Sequence, residues 1–267
     1  MSRRTFREQY GPWAIVTGAS SGIGEALARE LARRGLSVIL VARRVKRLEE
    51  LALALRQAHA VETQVVELDL GRDGSTSELV AAIGDRDVGL VCANAGFGEK
   101  GGFLEHDAEV YRRMIRLNCE STVALTHALV PRLVARGHGG ILVVASTAAF
   151  QGTPWTSTYA ATKAFDLVFA EGLHHELRAR GVDVVALCPG STDTEGPKRT
   201  GVDPKKVPFG MATAESVARA GLAGLGHTCV VVPRAIDRIA SFTTRLVPRR
   251  LAARLAGNAI RRVIDGA

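Results

Sequence analysis

The chain has 267 residues, is 46% hydrophobic and carries a formal net charge of +8, enough apolar content for one substantial core and no demand for a second domain. Cys92, Cys119, Cys188 and Cys229 show no Cys-x-x-Cys spacing, which argues against a disulfide framework or a metal site, and the first apolar run, Trp13 to Val16, is too short for a signal peptide or a membrane span. The charge is local: Arg234 to Arg262 holds eight arginines and one acid, Asp237, a net +7, and Asp265 takes back one unit, so residues 1 to 233 carry only +2. A soluble cytoplasmic protein whose body is not built for nucleic acid is expected.

Residues 1 to 11 read as a polar arm. Ala14 to Thr17 is a short apolar strand that runs into Gly18-Ala19-Ser20-Ser21-Gly22-Ile23-Gly24, after which Ala26, Leu27, Leu31 and Ala32 recur at helical spacing. Such a glycine turn lets backbone approach a pyrophosphate, and the following helix N-terminus offers unpaired amides and a positive dipole end. The spacing, Gly-x3-Gly-x-Gly, also serves a tight structural turn, but the strand before it and the helix after it favour a dinucleotide. A second strand, Ser37 to Val41, ends at Ala42-Arg43-Arg44 with no acid. A carboxylate there would suit the free ribose of NAD, whereas an arginine suits the 2′-phosphate of NADP, so Arg43 favours NADP(H) over NAD(H).

The strand Gln64 to Leu68 leads into Asp69-Leu70 and a helix ending near Ile83, and Val88 to Ala93 is a strand that stops at Asn94-Ala95-Gly96. Strand after strand ends in a small or polar loop, which is how a doubly wound parallel sheet gathers a site along one edge. The glycine-rich Phe97 to Phe103 segment reads either as the border of a substrate cleft or as an ordinary surface loop. A helical pattern runs from about Ala108 to Ala135 and carries Asn118 among apolar residues, where it needs partners. Ser146 ends the apolar run from Ile141.

Thirteen residues later, Tyr159 and Lys163 stand four apart in a helix reaching about Arg180, on one helical face. A free tyrosine has a pKa of about 10, and a phenol that exchanges protons near neutrality needs a neighbour that favours phenolate, which Lys163 is spaced to be. Asp183 to Leu187 is a strand ending at Cys188-Pro189-Gly190, and Ser191 to Gly210 reads as a loop over the site. Thr213 to Gly224 is helical and Thr228 to Val232 is a last strand. From Ile236 on, apolar residues alternate with arginines in two amphipathic helices broken near Pro248. They suit packing on the core or on another subunit, or a peripheral contact with an anionic membrane.

Thr17-Gly18-x3-Gly22-x-Gly24, Asp69, Asn94-Ala95-Gly96, Asn118, Ser146, Tyr159-x3-Lys163 and Pro189-Gly190-x3-Thr194 follow one another over about residues 10 to 235. In that order they resemble the short-chain dehydrogenase/reductase family, in its compact single-domain branch. Ala93 stands where many members have a second asparagine, and Ser21 where many NADP-preferring members carry a basic residue, so the cofactor preference rests on Arg43.

The resemblance implies a single-domain Rossmann fold, an α/β doubly wound parallel sheet of about seven strands with helices on both faces, over residues 1–235, with 236–267 a helical extension. It implies that Tyr159 is the acid or base and that Lys163 depresses its pKa and holds the nicotinamide ribose. Ser146 would donate to the substrate carbonyl, and Asn118 would anchor a water linking Lys163 to solvent. Gly18, Ser20, Ser21, Gly22, Ile23 and Gly24 would cradle the pyrophosphate. Asp69 with Leu70 would meet the adenine, and Asn94, Ala95 and Gly96 the adenosine-side ribose. Pro189, Gly190, Thr192 and Thr194 would fix the nicotinamide. A carbonyl–alcohol oxidoreductase follows, in a homodimer or homotetramer, acting on a small molecule that is lipid-like or a 3-oxoacyl compound. The alternative is a catalytically silent cofactor-binding sensor or scaffold, a role in which such proteins tend to lose the tyrosine or the lysine.

Overall fold

The computed structural model describes residues 4–196, 207 and 210–264. Its centre is a seven-stranded parallel sheet in the order β3-β2-β1-β4-β5-β6-β9. The strands are β1 (Trp13–Thr17), β2 (Ser37–Ala42), β3 (Thr63–Glu67), β4 (Val88–Ala93), β5 (Gly139–Val144), β6 (Val182–Leu187) and β9 (Val230–Val231). Two further short strands, β7 (Thr192–Asp193) and β8 (Ala212–Thr213), pair only with each other. The expected strand positions and the doubly wound order are therefore those observed.

Alternation along each strand divides the core. Val16 and Leu40 face one layer, with Leu27 and Leu31 of helix α2 (Gly22–Arg33) and Leu48 and Leu55 of α3 (Val45–His59). Their strand neighbours Ile15 and Ile39 face the other, with Leu79 of α4 (Ser75–Ile83), Leu125 of α6 (Ser121–Arg136) and Leu167 of α7 (Ser157–Arg178). With a side-chain period of two, strands buried on both faces must be apolar throughout, and all six residues of β4 are buried.

Strand order reverses between β1 and β4, so the crevice beyond their carboxyl ends is where such a sheet binds ligands. Gly18, Asn94, Ser146 and Pro189 lie at or just past the ends of β1, β4, β5 and β6.

The N-terminal segment differs from the polar arm expected of it. Phe6–Tyr10 is a helix, α1, closed by a capping box between Thr5 and Glu8. Tyr10 is buried, and its hydroxyl donates to Asp183 Oδ2 at 2.8 Å. Thr5-x-x-Glu8 was the legible signal. The long helical pattern after Ala108 also divides, into α5 (Ala108–Ile115), a π-helical turn at Arg116–Glu120, and α6. The π turn holds Asn118. Helix α8 (Ala214–Gly224) precedes β9, and the tail is made of α9 (Ala235–Thr243) and α10 (Arg249–Ile264).

Candidate active site

The glycine turn is built from backbone that no side chain could share. Gly18 and Gly22 hold φ of +67° and +56°, in the left-handed region. A Cβ on Gly24 would run into the Gly18 carbonyl oxygen. Helix α2 begins at Gly22 behind Ser21, whose side chain makes no capping hydrogen bond, so the first amides remain free for an anion. Twelve aligned residues stand behind those amides. Bare glycine backbone and an uncapped helix start fit the pyrophosphate of a dinucleotide.

Asn94 locks this turn to the sheet. Its Nδ2 donates to Thr17 O at 2.8 Å, while Thr17 Oγ1 accepts from the amides of Asn94 and Ala95, both at 2.9 Å. Asp69 Oδ1 accepts from Gly71 N at 2.9 Å, and Leu70 is buried beside it. Thr194 covers the turn from the other side, its Cγ2 2.9 Å from where a Gly22 Cβ would stand. Thr192 Oγ1 donates to Gly190 O at 3.0 Å.

The two arginines after β2 behave differently. Arg43 is 60% exposed and 3.9 Å from Asp69. Arg44 reaches inward: Nε donates to Ser20 Oγ at 3.2 Å and Nη1 to Glu195 Oε2 at 2.7 Å. The Arg44 hydrogen bond is the main cause that holds the Glu195 carboxyl below its ordinary range. The sequence reading placed neither side of this bridge. The rest of the expected loop, 197–206 and 208–209, lies outside the described residues.

On the catalytic side, Ser146 caps the 3₁₀ turn Thr147–Phe150, its Oγ accepting from Ala148 N at 3.1 Å. Thr147 N donates to Pro189 O at 2.9 Å, which ties the ends of β5 and β6 together. Tyr159 and Lys163 share α7, and Tyr159 is half-buried. Asn118 is fully buried and fully partnered: Oδ1 accepts from Phe97 N at 3.0 Å, and Nδ2 donates to Phe97 O and Thr162 Oγ1, both at 2.9 Å. It thereby pins the glycine-rich loop to the site. In that loop a Cβ on Gly98 would meet the Tyr159 ring at 2.6 Å, and one on Gly96 would stand 3.0 Å from Asn118 Oδ1 and 3.4 Å from Lys163 Nζ. The Phe97 to Phe103 segment is thus the border of a cleft.

Lys163 Nζ donates to Val144 O at 2.7 Å and to Asp166 Oδ2 at 2.9 Å. Burial by itself would lower Lys163, but the Asp166 charge, aided by Tyr159 and the Asp166 hydrogen bond, outweighs it and holds the ammonium above its ordinary range. Burial raises the Asp166 carboxyl against the pull of Lys163. Each charge is the other's main compensation. Asp166 was missed in sequence because a lysine and an aspartate three apart usually mark a solvated helix face.

The outer wall of the cleft beside Tyr159 is aromatic. Phe103 and Tyr111 stack at 4.9 Å, Tyr111 Oη donates to Phe103 O at 2.8 Å, and Trp155 and His106 complete the wall. The tail closes over this region. Arg261 lies 5.6 Å over the Trp155 ring, and a Cβ on Gly257 would meet Pro154 at 2.8 Å. Asp237 of α9 packs against Gly190.

The family model for short chain dehydrogenases matches residues 12–204. A 7beta-hydroxysteroid dehydrogenase of Clostridium sardiniense is 36% identical over 234 residues, covering 87% of this chain and 89% of that protein. A short-chain dehydrogenase of Sphingobium yanoikuyae, solved with NADPH, superposes with a TM-score of 0.79 at 33% identity, covering 88% of this chain and 95% of that one. A 3-ketoacyl-(acyl-carrier-protein) reductase of Brucella melitensis, solved with NADH, gives 0.73 at 26% identity, covering 84% and 96%.

Proposed function

The chain belongs to the short-chain dehydrogenase family and is an NAD(P)-dependent oxidoreductase, and from that premise we propose that it interconverts a bulky, lipid-like ketone and its alcohol with NADP(H). The observation that carries this reading is Ser146, Tyr159 and Lys163 at the open edge of the sheet, between the glycine turn and an aromatic wall. The nicotinamide, when bound, supplies or accepts the hydride. Tyr159 gives its hydroxyl proton to the substrate oxygen in reduction and recovers it in the reverse direction. Ser146 donates a hydrogen bond to that oxygen, where negative charge grows as hydride arrives. Lys163 offsets the charge left on the phenol oxygen. Arg43, at the end of β2 where no acid stands, meets the 2′-phosphate and selects NADP(H).

The aromatic wall of Phe103, Tyr111 and Trp155 suits a steroid-like or 3-oxoacyl ketone, classes acted on by two of the relatives. A panel of such ketones followed by NADPH absorbance tests the reading. Turnover of bulky ketones above small ones supports it. Tight NADPH binding with no turnover on any carbonyl would instead favour the silent sensor.

Two surfaces suit partners. Phe165 and Val168 on α7 are exposed apolar residues, in keeping with a homo-oligomer paired through this helix. Light scattering on the native chain and on Val168→Glu tests it, with a monomeric native chain as the contrary result. In the tail, Ile239, Phe242, Leu246, Leu251 and Leu255 are exposed beside Arg249, Arg250 and Arg254, a composition that suits a peripheral contact with anionic lipid. No described helix is long and apolar enough to cross a membrane. Flotation with anionic vesicles at low salt, compared with the triple arginine-to-glutamate variant, decides this; no flotation of the native chain ends it.

A further inference from the structure

The proposed reaction leaves a charged side chain beside Lys163 without a task. Asp166 stands three residues after Lys163 on α7, and the two side chains are only 1% and 6% exposed. One carboxylate oxygen, Oδ2, takes the Lys163 hydrogen bond at 2.9 Å, while Oδ1 has no hydrogen-bond partner among the described residues. Burying a carboxylate with a lone pair unanswered carries a desolvation penalty, and well-packed apolar side chains in place of a whole buried ion pair are often neutral or stabilising. Helix packing therefore does not account for an acid here.

The lysine does account for it. A buried ammonium without a counter-charge sheds its proton. The other titratable groups that face it do not supply that charge at neutral pH. Cys119, on the π turn, and Cys188, after β6, are thiols pushed up by burial to about 11 and about 12 respectively. Glu171, further along α7, acts on Cys188 and not on the lysine. Tyr159 supplies negative charge only once it has lost its own proton. Asp166 is the standing anion next to Lys163, and Val144 O is the second anchor.

We propose that Asp166 is a positioning residue: its buried carboxylate keeps Lys163 protonated and tethered to the end of β5 throughout the working pH range. This rests on the reading of Lys163 as part of the reaction site. A neutral Lys163 would offer nothing to offset charge on the Tyr159 oxygen, so the lysine alone is an incomplete device in so dry a setting.

The test is lysine side-chain NMR on the cofactor-free full-length chain carrying [ε-13C]lysine, which has six lysines. The Lys163 resonance is assigned by its loss in Lys163→Arg. In the native chain its midpoint lies above that of a free lysine, about 10.4. In Asp166→Asn, which keeps shape and loses charge, the midpoint falls by at least about one pH unit, and Asp166→Glu restores most of it. A native midpoint below that of free lysine, or the same midpoint in Asp166→Asn, overturns the proposal. If Asp166→Asn does not fold, the native midpoint still decides. Kinetics give an independent arm: in alcohol oxidation, Asp166→Asn moves the alkaline limb of kcat to lower pH, whereas a merely structural role lowers the melting temperature and leaves the limb in place. Absence of any NADP(H) turnover by the native chain would sink the functional reading and leave the NMR result to stand by itself.

Discussion

Two ion pairs of nearly equal length sit on opposite sides of the cleft. Lys163 and Asp166 are 2.9 Å apart and buried; Arg44 and Glu195 are 2.7 Å apart with 45% and 48% of their side chains exposed. Distance alone would rank them together. Their surroundings separate them, because charges taken out of water depend on each other for compensation, whereas exposed charges are screened and keep water as an alternative partner. The buried pair is a fixed part of the site, and the exposed one is a bridge from the glycine turn to the loop after β6.

The largest expected effect tests whether the buried side is where the chemistry lies. Tyr159→Phe should lower kcat/KM by about 10²- to 10⁴-fold and leave NADPH affinity within a few-fold in a fluorescence titration; a comparable loss of binding would mean that Tyr159 serves the cofactor side as well. Next, Asp166→Leu should destabilise the fold by about 3–5 kcal/mol in urea unfolding, since it strands Lys163. Equal stability with the native chain would break the contrast outright. On the exposed side, Arg43→Asp should weaken NADPH about tenfold or more and NADH little, as expected for loss of a charge-assisted bond; equal losses would refute the 2′-phosphate assignment.

An intermediate case sharpens the scale. Glu30 is buried beneath Arg33 and Arg34, whose guanidiniums donate at 2.7 and 2.8 Å, and the Arg33 hydrogen bond leads in holding its carboxyl down at about 2. A depressed carboxyl contributes stability above its unfolded value and loses it as pH falls toward the folded one. Acid unfolding should therefore lose a component between about pH 4.3 and pH 2, and Glu30→Gln should lack that component. The smallest effect belongs to Glu195→Gln, under about 1 kcal/mol and vanishing in high salt. A larger loss would mean that the mouth of the cleft is as rigid as its interior.

The parallel sheet was legible because its strands are apolar on both faces and each ends in a loop of small or polar residues. The glycine turn was legible because positive φ and close backbone approach leave few alternatives to Gly18, Gly22 and Gly24. Asn118, Ser146, Tyr159 and Lys163 could be nominated from spacing and order, and the fold brings them to one edge with Gly96 and Gly98. The short helix at Phe6–Tyr10 was hidden by polar composition, although Thr5 and Glu8 marked its start.

Other features left no signal of their own. Arg43 and Arg44 are identical side chains in adjacent positions, and only the path of β2 into α3 sends one to Ser20 and leaves the other at the surface. Asp166 drew no notice because α7 has charged residues around much of its circumference, and no periodicity says which of them the sheet covers. Local sequence determined the elements, the backbone of the turn and the candidate reacting groups, since these follow from steric and hydrophobic preferences within a few residues. Which charges are buried and which loop meets Tyr159 were decided by tertiary packing alone, because desolvation and pairing arise only when segments distant in the chain exclude water together.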